Sequence, residues 1–302
     1  MILHRKTIRL SQPFDLDATV DSWVYPDIQP VPEVKVPGQW ARCIPIRSHL
    51  VPVRVQQLGH GSTPELQVEW RGNKGIQTDE VISEVKWLLG WDLDMRPVLR
   101  VIRADPVIKH LADALVGLRP YSQTSLFEAL VKAILQQQVS FRSANQVIRQ
   151  LVLAYGSSQQ LGSLEVFGFP TLEVLAPLSE ASLRACKLGY KAHYLLNLFQ
   201  ELCHGRFRLK DLRALESSEA IVRLDALHGV GPWTAELTIL TGLRRLEVFP
   251  AGDLGVRAMI SRLYLDGQPA KRLDVERVAI RWGDVNTLVL YFLMGAQVLG
   301  LV

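Results

Sequence analysis

The stretch Leu227-His228-Gly229-Val230-Gly231-Pro232-Trp233-Thr234-Ala235 constrains this chain more than any other. Two glycines flanking one apolar residue favour a tight bend. Pro232 suits the first position of a helix, and Ser217 and Ser218 suit the start of the one before. A helix, bend, helix unit over about 217–243 follows. Backbone N–H groups converge at such a bend, where they can hold a phosphate without reading a base. Twenty-two positions after Gly231 comes Phe249-Pro250-Ala251-Gly252-Asp253. Asp253 stands just before a helical segment and reads as its N-cap, where the macrodipole favours a negative charge. A bend of this kind also serves simply to pack helices, so the pairing with the carboxylate carries the functional information.

The 302 residues suffice for two domains. Residues 1–108 carry short β-prone runs at Thr7–Leu10, Ile44–Val55 and Glu65–Trp70. Turn signals at Ser11-Gln12-Pro13, 59–62 and Arg71-Gly72-Asn73-Lys74-Gly75 separate them. An antiparallel sheet is expected, covered on one face by helices over about Phe14–Ser22 and Asp79–Leu89, which makes an α+β domain. Asp105-Pro106 reads as the boundary region. Residues 109–302 are expected to be all helical, so the fold class is mainly α with an N-terminal α+β unit. Ser125-Leu126-Phe127-Glu128 has the form of a capping box opening a helix whose Phe127, Leu130, Val131, Ile134 and Leu135 share a face. A second helix, striped by Val147, Ile148, Leu151, Val152 and Tyr155, stops at Gly156. Further helices are expected at about 171–177, 180–186, 190–203, 217–227, 232–243, 254–265, 274–280 and 284–299.

Charge and cysteine content set outer limits. Lys and Arg equal Asp and Glu in residues 1–108, at 13 each, and exceed them 21 to 17 in the remainder, so the net +4 lies wholly in the second part. That is a weak pointer to a polyanionic partner. Cys43, Cys186 and Cys203 are too few and too far apart for a disulfide framework or a CxxC metal site, and the pair Cys203-His204 lacks further ligands. No metal site is expected. The N-terminus lacks the apolar run of a secretory leader, so an intracellular, cytoplasmic protein is expected. Val285–Val302 carries no charge but includes Asn286, Thr287, Gln297 and two glycines, and reads as a buried central helix rather than a membrane span.

Leu118-Arg119-Pro120, Leu130–Ser140, Lys187-Leu188-Gly189-Tyr190-Lys191-Ala192, Leu227–Ala235 and Phe249–Arg257 together resemble the helix-hairpin-helix DNA glycosylase superfamily. Within it they most resemble the 3-methyladenine DNA glycosylase II branch. The resemblance covers residues 105–302 well and the start of the chain, at Gln12-Pro13-Phe14-Asp15-Leu16, more loosely. It implies base excision: Asp253 as the catalytic carboxylate that steadies an oxocarbenium-like sugar, and Gly229, Val230 and Gly231, with Thr234 behind them, as the phosphate grip. His228 stands where the family usually has proline, and a histidine beside a phosphate would add slight pH sensitivity. Gln138 falls at the wedge that fills the gap left by the everted nucleotide. Trp233 occupies the position of the Schiff-base lysine in strand-cutting relatives and offers an indole face to a flipped base. With Leu237, Leu254, Tyr121 and the Ser22/Trp23 region it makes the expected pocket wall. The resemblance further implies damaged duplex DNA as partner, a monomer, and no cofactor apart from a monovalent cation that relatives can hold on hairpin carbonyls. Without four cysteines beyond Asp253, no iron–sulfur cluster is expected. The expected activity is monofunctional hydrolysis of alkylated purine nucleosides. A bifunctional glycosylase/lyase and a non-catalytic damage-binding protein are the alternatives left open.

Overall fold

A computed structural model describes residues 2–72 and 75–302. Of the turn expected over Arg71–Gly75, Asn73 and Lys74 lie outside the described residues. The N-terminal part runs β1 (Ile2–Arg9), α1 (Leu16–Asp21), β2 (Val34–Val36), β3 (Gln39–Ile46), β4 (His49–Leu58), β5 (Glu65–Gly72) and α2 (Thr78–Leu89). The strands form one antiparallel sheet in the order β1-β5-β4-β3-β2. Val51, Val53, Val55, Leu66, Val68 and Trp70 are buried along it, and α1 and α2 pack against β3.

The run Ile44–Val55 is not one strand. Arg47, at φ 53, and Ser48 turn the chain back so that Ile46 pairs with His49. β-branched residues on both sides of this two-residue turn hide the break from a propensity reading. β1 also starts at Ile2 rather than Thr7, because His4, Arg5 and Lys6 belong to an edge strand, where charge is tolerated on the open side. The short edge strand β2 had no readable signal.

The remainder is α3 (Arg96–Ala104), α4 (Leu126–Gln136), α5 (Phe141–Tyr155), β6 (Ser158–Leu161), β7 (Leu164–Phe167), α6 (Leu172–Leu175), α7 (Glu180–Ala185), α8 (Lys191–Cys203), α9 (Ser217–Asp225), α10 (Pro232–Leu243), α11 (Leu254–Tyr264), α12 (Arg272–Ile280) and α13 (Asn286–Val298). The expected helices are present, with α3 in addition. Its signal was there: Val98, Leu99 and Ile102 are buried on one side while Arg100 and Arg103 stay exposed on the other. β6 and β7 form a hairpin that adds a cover over β3 and β4 through Leu161 and Val166, packed on Ala41 and Cys43. Four residues per strand are too few for a period to emerge from sequence.

Besides that small cluster, two large hydrophobic cores form among the described residues, and the chain crosses between them. One joins the sheet, α1 and α2 to α4 through α10; the other joins α3 to α11, α12 and α13. Leu118 ends in the second core and Tyr121 in the first, whereas Val248 lies in the first and Ala251 in the second. Both crossings border the cleft described below, which is how Tyr121 and Asp253 come to share it. α13 is buried over most of its surface. No helix among the described residues is long and apolar enough to cross a membrane.

Candidate active site and nucleic-acid interface

The bend between α9 and α10 is built by one glycine more than by two. Gly229 has φ +81, and a Cβ there would lie 2.4 Å from Cγ of Tyr194 on α8. Both the backbone and the neighbouring ring therefore demand glycine. Val230 N–H then donates to the Leu227 carbonyl at 3.0 Å, closing the turn. Gly231 has an extended backbone that any residue adopts, φ −106 and ψ 176, and a Cβ on it would meet nothing within 4 Å. Gly229→Ala is accordingly expected to cost about 2 kcal/mol or more in chemical denaturation, and Gly231→Ala less than about 0.5 kcal/mol.

Asp253 is the N-cap of α11, as its position demanded: Oδ1 accepts from Val256 N–H at 2.8 Å. Its other oxygen is held too. Trp233 Nε1 donates to Asp253 Oδ2 at 2.5 Å. The indole thus has a second function beside any face it offers to a base, because its polar edge fixes the carboxylate. Sequence reasoning missed this, since nothing local links α10 to the start of α11. It also missed Glu236, one turn beyond Trp233. Burial pushes its carboxyl up; Arg272 opposes the shift and the nearby charge of Asp253 adds to it.

One cleft of about 1340 Å³ gathers most of the expected residues. Asp253, Trp233, Leu237, Leu254, Tyr121, Gln138, Gly229, Val230, Gly231 and Thr234 all line it. They are not equivalent. Leu254 is 71% exposed and stands at the mouth, whereas Tyr121 is 2% exposed and turns its hydroxyl inward to donate to Glu33 Oε1 at 2.9 Å. Thr234 is buried behind the bend and accepts from Gln137 Nε2. His228 does not line the cleft: it is exposed, and its ring packs against those of His193 and Tyr194 at 5.6 and 5.3 Å. Ser22 and Trp23 do line it, next to Tyr25, Phe141 and Tyr291, which the sequence did not single out. Phe141 packs on Trp23 at 5.5 Å and on Tyr25 at 5.8 Å, giving the cleft an aromatic side. Tyr291 accepts from the Tyr121 N–H at 2.9 Å, which braces one crossing segment against α13.

Beneath Tyr121 lies a buried charge network. Arg42 donates to Glu33 at 2.5 Å and to Glu128 at 2.9 Å, and Lys132 pairs with Glu128 at 2.8 Å. All four side chains are at most 5% exposed. Glu128 is the residue that looked like the second half of a capping box. Ser125 does accept from its N–H at 3.1 Å, yet the carboxylate points inward to Arg42, Lys132 and Thr124. Two buried cations outcompete one helix-end N–H for the same anion. Burial raises the Glu128 pKa, but Arg42 and Lys132 outweigh it and hold the group well below the usual carboxylate range.

Among the described residues, no three His, Cys, Asp or Glu side chains cluster as metal ligands. Cys43 and Cys186 are buried, and Cys203 is exposed.

The chain is similar to the DNA-3-methyladenine glycosylase of Bacillus subtilis, 27% identical over 216 residues that cover 71% of each chain. Its fold matches that of a 3-methyladenine DNA glycosylase from Archaeoglobus fulgidus with TM-score 0.86 at 28% identity, over 96% of this chain and 98% of that one. An 8-oxoguanine glycosylase/lyase from Clostridium acetobutylicum, solved with double-stranded DNA, matches with TM-score 0.79 over 100% of this chain and 99% of that one; at 18% identity it speaks for the fold alone. Residues 131–283, half of the chain and the part that contains the bend, Trp233 and Asp253, match the family model of the HhH-GPD superfamily base excision DNA repair proteins. The chain belongs to that superfamily.

Proposed function

We propose that this protein is a monofunctional DNA glycosylase that hydrolyses the N-glycosidic bond of alkylated purines, of the 3-methyladenine and 7-methylguanine type, in duplex DNA and leaves an abasic site. The observation that carries this reading is a carboxylate fixed at both oxygens, by Val256 N–H and Trp233 Nε1, on the wall of an aromatic-sided cleft that the α9–α10 bend also lines.

The chemistry follows from that arrangement. The bend binds the backbone without reading sequence, Gln138 fills the space of the everted nucleotide, and the base enters between Trp233 and the aromatic side. When the C1′–N bond breaks, its electron pair leaves with the base and the sugar becomes cationic. The Asp253 carboxylate stabilises that cation electrostatically, without having to reorganise. Water then adds through oxygen to C1′ and passes its extra proton to the surrounding water. A ring-alkylated purine carries a positive charge, departs as a neutral base and needs no acid to assist it. Its charge also favours stacking on indole and phenol faces. The names of the Bacillus and Archaeoglobus relatives support the same substrate class. A monovalent cation on the bend would sit on main-chain carbonyls and add positive charge near a phosphate. Leu227 and Gly229 each already accept one hydrogen bond and keep a second lone pair for it. We further read the protein as a monomer acting on damaged double-stranded DNA.

Strand cleavage through a Schiff base needs an amine at the sugar, and among the described residues no lysine lines the cleft. Incubation of dimethyl-sulfate-treated duplex DNA with the protein is expected to release free 7-methylguanine and 3-methyladenine, and borohydride is expected to trap no covalent adduct. Absence of released base would overturn the glycosylase reading, and a trapped adduct would overturn the monofunctional one.

A further inference from the structure

The tip that carries Gln138 is fastened to the bend at one point. α4 ends at Gln136, Gln137 leaves the helix with φ −57 and ψ 131, and Gln138 is held at φ +54, a left-handed conformation uncommon for a residue with a side chain. Gln137 uses both protons of its amide on α10 and the bend: Nε2 donates to the Gly229 carbonyl and to Thr234 Oγ1, each at 2.8 Å. The first acceptor belongs to the one glycine whose conformation sets the bend, and the second is 2% exposed. Tyr190 adds a weaker tie, donating from its hydroxyl to Gln138 Oε1 at 3.3 Å, while Lys191 Nζ donates to the Leu135 carbonyl at 2.7 Å and so closes the end of α4.

We infer that Gln137 is a positioning residue that locks the Gln138 tip and the bend into one body, so that gripping the phosphate and entering the base stack become a single event. This rests on the reading above that the tip enters the duplex. The physical basis is the fixed distance between the two functions. A bend that grips the backbone can aim a tip only if the segment joining them does not swing, and between α4 and α5 the chain has four residues of non-helical backbone. Two hydrogen bonds from one planar amide remove that freedom. A carboxylate in the same place would present lone pairs to the Gly229 carbonyl and drive the tip away from it.

The test uses a duplex with a tetrahydrofuran abasic-site analogue beside 2-aminopurine, whose fluorescence rises when a tip unstacks it. The wild-type chain is expected to raise it. Gln137→Glu and Gln137→Ala are expected to slow the rise about thirtyfold, as loss of two hydrogen bonds of ordinary strength would. Affinity by anisotropy should fall by less than about threefold, because the bend still holds the backbone. Thr234→Val, which removes one of two acceptors, should give an intermediate rate, and the unfolding midpoint of Gln137→Glu should stay near wild type. A rise as fast as wild type in both Gln137 variants overturns the inference, as does a parallel fall of rate and affinity, which would mean that the bend itself had been distorted. No rise with the wild-type chain overturns the inference together with the reading of Gln138. Slowed variants without base release on methylated DNA uphold the inference and overturn only the proposed chemistry.

Discussion

Asp253→Asn is expected to slow single-turnover release of methylated purine by about 10³-fold while leaving the fold and the grip on abasic duplex nearly intact. The separation of these effects follows from what each carboxylate oxygen touches. Asparagine is as good an N-cap as aspartate, so an amide oxygen placed toward Val256 N–H keeps α11 capped. The amide nitrogen then faces Trp233 Nε1, donor against donor, and that hydrogen bond is lost. Stability should therefore fall by no more than about 1 kcal/mol, whereas the negative charge that opposes the sugar cation is gone. Trp233→Phe removes only the tether. It keeps an aromatic face and frees Oδ2, so it should reduce the rate by about tenfold, well short of the loss in Asp253→Asn. Equal losses in the two variants would mean that the indole acts chiefly on the base.

Glu128→Ala is expected to destabilise the fold by about 3–5 kcal/mol, measured as a shift of the denaturant midpoint at constant m-value. Glu33, Arg42, Glu128 and Lys132 balance two negative charges against two positive ones in a site closed to water. Removing Glu128 leaves Arg42 and Lys132 with one carboxylate between them. The network also joins β3 to α4 and carries the hydroxyl of Tyr121, so loosening it should reach the cleft. Its pH dependence has a definite sign. The Glu128 carboxyl is depressed from 4.5 to about 2 in the folded chain. It therefore contributes stability that is present above pH 4.5 and lost as pH falls toward 2. Unfolding followed between those limits should show a slope that the alanine variant lacks.

The sequence made the hairpin and Asp253 legible because each rests on local backbone rules: a left-handed glycine, a proline in the first turn, an N-cap. Helices came through for the same reason. What stayed hidden depends on partners remote in the chain. Glu128 sits in a pattern that normally means capping, and Arg42, on a strand 86 positions away, joins Lys132 in drawing its charge inward. Trp233 reads as a pocket wall until α11 brings Asp253 to its N–H. The glycine at 231 looked equivalent to that at 229, yet only the latter meets Tyr194. In the sheet, the run Ile44–Val55 concealed a turn, and the β6–β7 hairpin is too short to announce itself; its place is set by Leu161 and Val166 against Ala41 and Cys43.

The central claim is that a fixed anion stabilises a sugar cation. Its most direct test compares affinities for two duplexes, one with a neutral tetrahydrofuran at the target position and one with a protonated pyrrolidine, which carries positive charge where the sugar would. The wild-type chain should bind the cationic duplex more tightly by at least about 10²-fold, as a mimic of the transition state is bound, and Asp253→Asn should bind the two alike. The same preference in both proteins would contradict the account.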